Sequence, residues 1–318
     1  MNATTPAPPA GGPPRPSFGI SVTPTAGAHR EIVAQVLAAE RGGLDLVGIQ
    51  DHPYQRRFLD TFALIADLLA RTARLRFFPD VASLPMRPPA MLAKAAASLD
   101  VMSGGRFELG IGAGAFWDAV SGMGGPRRWL DERLDALEEA ITIIRAALDV
   151  GPEKRVVRGT GPHYPIPGYP AGPPPAHRVE IWVGAMLPRS LELIGRLADG
   201  WVPPFGTSAR AELPAANARI DTAAAAAGRD PAAIRRVLNV AGHITDTRRG
   251  DGQLDGPVDQ WVDTLVGWSR ESRIDAFVFW PSDSGTHEIE RFAAEVAPAV
   301  RELVGGSAGL DVAPAGDG

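Results

Sequence analysis

Arg106-Phe107-Glu108-Leu109-Gly110-Ile111-Gly112-Ala113-Gly114-Ala115 is the stretch from which the fold is read. Phe107 and Leu109 alternate with Glu108 as in a β-strand, and Gly110, Gly112 and Gly114 then remove side chains where the strand ends. Glycine at such a point permits a sharp turn, or lets a flat ligand lie against the main chain. The strand end is therefore a candidate cofactor floor. Two other readings fit the same residues. Gly110 to Ala115 satisfies G-x-G-x-x-A, a loose dinucleotide fingerprint, but that motif belongs to the first βα turn of a doubly wound sheet. Alternatively, the glycines serve tight packing at a barrel corner.

Working outward decides between architectures. Upstream, Pro88-Pro89 opens a helix that passes Leu92 and Leu99 and stops at Ser103-Gly104-Gly105, with proline in the first turn and glycine past the last. Before it, a strand begins at residues 75–78 and runs through Pro79-Asp80 to Ser83. Residues 61–71 read as a helix, and residues 44–50 as a strand followed at once by Asp51-His52-Pro53. Residues 27–40 carry Ile32, Val33, Val36 and Leu37 on one helical face, behind a first strand at 18–24. Downstream come a helix at 130–148, a Pro/Gly-rich segment at 151–178 with a small hairpin, and a fifth strand at 179–184. Helices at 189–197, 209–227 (interrupted near Pro214), 258–269 and 287–303 then alternate with strands at 199–202, 237–245 and 275–280. Apolar strands alternating with amphipathic helices imply a parallel sheet. Eight such pairs in about 250 residues fit a closed barrel. The expected fold is α/β, a single (β/α)8 TIM barrel over residues 17–304 with an insertion before strand five. The Pro/Gly/Ala-rich ends, 1–16 and 305–318, read as a disordered leader and tail.

Composition bounds the function. The 318 residues include no cysteine, which removes thiol catalysis and cysteine-ligated metal, and the formal charge of −5 argues against a nucleic-acid surface. No apolar run approaches the roughly 20 residues that cross a bilayer, and no signal region precedes the body, so a cytoplasmic protein is expected. HExxH, GxSxG and Walker patterns are missing, and no metal site is expected.

A barrel carries its chemistry at the C-terminal ends of its strands. There stand Asp51-His52, Asp80 to Ser83, Gly110 to Gly114, Gly184 to Ser190 and Trp280-Pro281. His52 is the candidate for proton work near neutral pH, with packing as its alternative; His243, inside the expected seventh strand, is a weaker one. The turn Gly184-Ala185-Met186-Leu187-Pro188-Arg189-Ser190 leads into a helix, whose N–H groups with Arg189 can hold a phosphate, or which Ser190 simply caps.

The run Pro88 to Gly114, containing Leu99-Asp100-Val101-Met102-Ser103-Gly104-Gly105-Arg106, resembles the bacterial luciferase-like family, as do Gly43 to His52 and Ala198-Asp199-Gly200-Trp201. The resemblance covers nearly the whole body. It implies a barrel binding reduced FMN or coenzyme F420, and a flavin-dependent oxidoreductase. The first expectation is a monooxygenase using reduced FMN and O2 on a small, rather apolar substrate; the alternatives are F420-dependent hydride transfer and a non-catalytic flavin-binding barrel. It further implies a ring near Asp51, His52, Asp80, Val81, Gly112, Ala113 and Gly114, a phosphate near Ala185, Met186, Arg189 and Ser190, and a cis peptide at Asp80–Val81. A partner reductase and a homodimer are expected as well, and Phe116 with Trp117 as an apolar lid. The family's F420-dependent sugar-phosphate dehydrogenases carry a glutamate where this chain has Ala115, and a tryptophan where it has Tyr54-Gln55-Arg56, so sugar-phosphate oxidation is not implied.

Overall fold

The computed structural model describes residues 15–151, 156–206, 212–247 and 254–305. The expected leader and tail fall outside these residues apart from Arg15, Pro16 and Gly305. Strands β1 (Ser17–Val22), β2 (Leu46–Ile49), β3 (Arg76–Pro79), β4 (Ala82–Ser83) and β5 (Leu109–Gly112) come first. A hairpin of β6 (Val156–Gly159) and β7 (Ile166–Pro170) follows, then β8 (Ile181–Gly184), β9 (Gly200–Val202) and β10 (Arg235–Ala241). The short pair β11 (His243–Ile244) and β12 (Asp255–Gly256) precedes β13 (Ala276–Trp280). Nine strands form one sheet in the order β3-β2-β1-β13-β10-β9-β8-β5-β4, and all its pairs are parallel. A parallel bridge between Phe77 and Phe107 joins its two ends. Because β3 and β4 are two halves of one position, the barrel has the eight positions read from the sequence.

These strands are apolar on both faces because both faces are covered. Outward residues such as Phe18, Ile20, Val47 and Ile111 pack beneath the helices. Inward residues form a separate cluster, with Phe78 edge-on to Trp182 at 4.8 Å and Leu46, Val237, Ala276 and Val278 around them. The helices are α1 (His29–Arg41), α2 (Thr61–Arg71), α3 (Pro89–Ser103), α4 (Trp117–Gly122), α5 (Leu130–Leu148), α6 (Pro188–Leu197), α7 (Leu213–Ala226), α8 (Val258–Ser272), α9 (His287–Arg291) and α10 (Ala297–Gly305). Their ends follow local chemistry. The Asp60 carboxylate accepts the Ala63 N–H at 3.0 Å at the start of α2, and Gly104 at φ +70° closes α3.

Four local expectations need correction. The third strand breaks between Pro79 and Ala82, and the Asp80–Val81 peptide in the gap is cis. The segment between Ala115 and the helix at 130–148, where the sequence pattern marks no element and reads as loop, contains α4. Pro214 does not interrupt a helix; it lies in the first turn of α7, where its missing N–H costs no hydrogen bond, and residues 207–211 lie outside the described residues. The seventh strand splits at Gly242, which passes so close to Leu254 that a Cβ would stand 2.1 Å from the Leu254 carbonyl oxygen. The final helix is one path from α9 to α10 through a π turn at Phe292–Val296.

Candidate active site

A cavity of about 600 Å³ opens at the C-terminal ends of the strands. Its floor is the Asp80–Val81 dipeptide, which crosses the mouth of the barrel. Val81 reaches β5 and β8, while Asp80 reaches β2 and β10. The glycines make room for this floor. A Cβ at Gly112 or at Gly184 would stand 2.8 Å from Val81 Cγ2, and one at Gly110 would stand 2.1 Å from the Pro79 carbonyl oxygen. On the far side, a Cβ at Gly48 would lie 3.1 Å from Asp80 Oδ2. Gly114 turns at φ +105°, where a Cβ would meet Pro85 at 2.6 Å. Gly110 and Gly112 are thus complementary first to the chain's own floor, where Val81 lines the cavity.

Asp51 is buried, and its carboxylate is closed by protein donors. Arg87 donates through Nε and one terminal nitrogen at 2.7 Å each, and the Ser83 N–H donates at 2.9 Å. The same guanidinium reaches Asp60 at 2.6 Å and lies 4.5 Å over the Phe62 ring. Asp51 therefore ties the end of β2 to β4 and to the turn that follows. It sets the floor's position from below.

His52 and Tyr54 form one side of the wall. His52 Nδ1 and the Tyr54 hydroxyl are 2.7 Å apart, and Phe116 stands edge-on to the imidazole at 5.6 Å. Burial pulls the imidazole below its ordinary value against the smaller opposing effect of the Asp51 charge. His52 is neutral at pH 7. Burial, with the Asp51 charge adding to it, pushes the Tyr54 phenol up to about 12, so it keeps its proton. His52 Nε2 has no protein partner among the described residues; it presents a lone pair in the tautomer whose Nδ1–H donates to the phenol oxygen and an N–H in the tautomer whose Nδ1 accepts from the phenol.

The opposite wall is largely apolar. Leu130, Leu134 and Leu137 face the cavity from α5, with Arg133 on the same stripe. The Arg133 guanidinium lies 5.1 Å over the Trp117 ring, its Nε is buried without a partner, and no carboxylate among the described residues pairs with it. Across from it, Ala185, Met186 and Ser190 line the start of α6, a helix with no side-chain cap. The Ser190 hydroxyl donates to the Leu187 carbonyl at 2.7 Å. Phe205 and Trp280 complete the mouth, their rings 4.8 Å apart.

Of the residues singled out in the sequence, Asp51, His52, Asp80, Val81, Gly112, Ala113, Gly114, Ala185, Met186 and Ser190 all border the cavity. Arg189 does not; it points away and pairs with Asp131 and Asp135 on α5. His243 is exposed and pairs with Glu288 at 3.3 Å. Arg133 was missed. Its signal was available: a lone cation at i+3 on an apolar i, i+4, i+7 stripe.

The model of the luciferase-like monooxygenase family matches residues 16–249. The chain belongs to that family. The floor and walls just described are the candidate site of this luciferase-like chain. It is 30% identical over 212 residues to the 5,10-methylenetetrahydromethanopterin reductase of Archaeoglobus fulgidus, covering 67% of this chain and 59% of that one. The matched segments span about half the length of the curated relatives. Among solved structures, the F420-dependent tetrahydromethanopterin reductase of Methanopyrus kandleri superposes with a TM-score of 0.75 at 19% identity, over 89% of this chain and 99% of that one. An EDTA monooxygenase from Chelativorans sp. BNC1 gives a TM-score of 0.78 at 15% identity, over 91% and 94%. The two structural likenesses establish the barrel of this luciferase-like chain.

Proposed function

We infer that the chain moves a hydride between a flavin-type ring, F420 or FMN, seated on Asp80–Val81 and the carbonyl or alcohol carbon of a small organic substrate with an apolar body. The observation that carries this reading is the neutral His52 imidazole, oriented by Tyr54, at the wall of an otherwise apolar cavity. The glycine-lined floor fits a planar ring. Arg133 and the uncapped start of α6 fit the ring's phosphate; Arg133 takes the place first given to Arg189. The reductase named among the relatives points the same way.

Bound there, the cofactor supplies or accepts the hydride. The rest of the work falls to the chain. In alcohol oxidation His52 Nε2 accepts the hydroxyl proton as the hydride leaves carbon; in carbonyl reduction the protonated imidazole returns that proton to oxygen. Tyr54 holds the ring's orientation in both directions. Leu130, Leu134 and Leu137 exclude water from the wall where the substrate's apolar body lies.

Oxygenation with reduced FMN and O2 is the second reading, favoured by the same dry wall and by the monooxygenases in the family; it calls for a separate reductase. Exposed Met91, Val101 and Met102 on α3 give the expected homodimer a contact face. The deciding experiment supplies reduced F420 or reduced FMN to the chain without oxygen and adds ketones of increasing apolar size. Ring reoxidation that depends on the ketone, lowered about 10²–10⁴-fold in His52→Ala with an unchanged Tm, supports hydride transfer. Turnover only with oxygen uptake supports oxygenation, and ring binding with no turnover under either condition supports a carrier.

A further inference from the structure

Asp80 lines the cavity floor and holds one carboxylate oxygen out of reach of solvent. Asp80 Oδ1 is 3.4 Å from the Asn239 side-chain nitrogen, and Oδ2 is buried with no hydrogen-bond partner. Asp51, by contrast, takes three N–H donors. Asn239 cannot swing to improve its bond, because its own oxygen accepts from Trp280 Nε1 at 2.9 Å. An unsatisfied buried carboxylate oxygen is costly, so Asp80 requires a proton or a ligand. Gly48 from β2 and Asn239 from β10 stand against it, and neither carries a charge or titrates. The titratable groups elsewhere on the cavity wall are Asp51, already closed by Arg87, then His52, Tyr54 and Arg133. Burial pushes the Asp80 carboxyl up to about 7, against a smaller lowering by Asn239.

We propose that Asp80 is the proton-holding group of the floor, kept neutral beneath the bound ring by a proton on its buried Oδ2 and thereby favouring the reduced, electron-rich form. The proposal rests on the cofactor reading above. A neutral acid beneath an anionic reduced ring adds no charge, whereas a carboxylate there sets two like charges together in a dry site. Affinity for the reduced ring accordingly falls as pH rises through the titration of Asp80. No neighbouring cation offsets the loss.

Two measurements test this. Infrared spectroscopy of the ligand-free protein at pH 6 should show the carbonyl stretch of a protonated carboxylic acid that disappears in Asp80→Asn. Anaerobic titration with reduced FMN and with reduced F420 should show affinity falling about tenfold between pH 6 and pH 8 beyond any change in Asp80→Asn, following one protonation linked to binding. Asn239→Leu removes the one donor to Oδ1 and should move the midpoint of that pH profile upward. The same pH profile in the wild type and in Asp80→Asn, or no protonated-acid band at pH 6, overturns the role of Asp80 and leaves the cofactor reading standing. Failure of both rings to bind at any pH in either protein overturns both.

Discussion

Gly112→Ala is the sharpest perturbation of the site, because the added methyl has only one place to go. Its Cβ would stand 2.8 Å from Val81 Cγ2, closer than van der Waals contact. Val81 lies equally over Gly184 and Gly110, where an added Cβ would stand 2.8 Å from Cγ2 and 3.2 Å from Cγ1, so the same methyls are the only ones Gly112→Ala would meet this closely. Overpacking of this kind costs about 1–3 kcal/mol. Val81→Ala opens the same space from the other side, losing about 1–2 kcal/mol of its own through the buried methyl groups. If the two side chains compete for one volume, the double variant should be more stable than the sum of the singles by at least about 0.5–1 kcal/mol. Urea denaturation of the four proteins measures the cycle, and FMN or F420 titration of the same four measures the floor. Gly112→Ala should weaken ring binding by raising Val81, and the second substitution should recover part of it. Additive stabilities, with binding unaffected by Gly112→Ala, would refute the floor as described.

Arg87→Met leaves the Asp51 carboxylate buried without its cation and should cost about 3–5 kcal/mol, read as a lowered denaturation midpoint. Arg133→Met should weaken FMN binding while leaving riboflavin, which lacks the phosphate, unchanged in a fluorescence titration; equal loss for both would remove the phosphate from this position. At the opposite end of the barrel, His177 sits between Asp100 at 2.7 Å and Glu108 at 3.2 Å, and an Arg76 guanidinium nitrogen that itself pairs with Glu108 lies 2.8 Å from its Nε2. Burial alone lowers its pKa, but the bonds to the two carboxylates prevail and raise it to about 9. A raised histidine stabilises the fold fully below its unfolded value of about 6.5, and the contribution fades as pH rises through about 9. Urea denaturation should therefore show the wild type losing up to about 3 kcal/mol relative to His177→Gln between pH 6 and pH 10; parallel pH curves would contradict it.

The barrel was legible because its evidence is local. Runs such as Leu46–Ile49 and Ile181–Gly184 are apolar on both faces, and Pro88-Pro89 and Gly104 mark helix ends within a few residues. What stayed hidden depends on contacts far apart in the chain. Gly112 reads as an approach for a ligand, yet the atom nearest its missing side chain belongs to Val81. Gly242 looks like an ordinary strand glycine until Leu254 passes against it. Arg189 has the right place at a helix start, but Asp131 and Asp135, two turns of a different helix, draw it out to the surface. Arg133 takes its place in the cavity by packing over Trp117, in a segment whose sequence pattern reads as loop. Asp51-His52 was found as a pair, whereas its division into a buried brace and an imidazole held against a phenol depends on Arg87 and Tyr54.

The central claim is that a flavin-type ring lies on the Asp80–Val81 floor. Its most direct test is a fluorescence titration of the purified chain with FMN and with F420, each alone and in competition. The account predicts saturable one-to-one binding of at least one ring, and displacement if both bind. It also predicts loss of binding in Gly184→Val, where the larger side chain meets Val81 from β8. A folded chain that binds neither ring, or binds one with equal strength when Gly184 is filled, would contradict it.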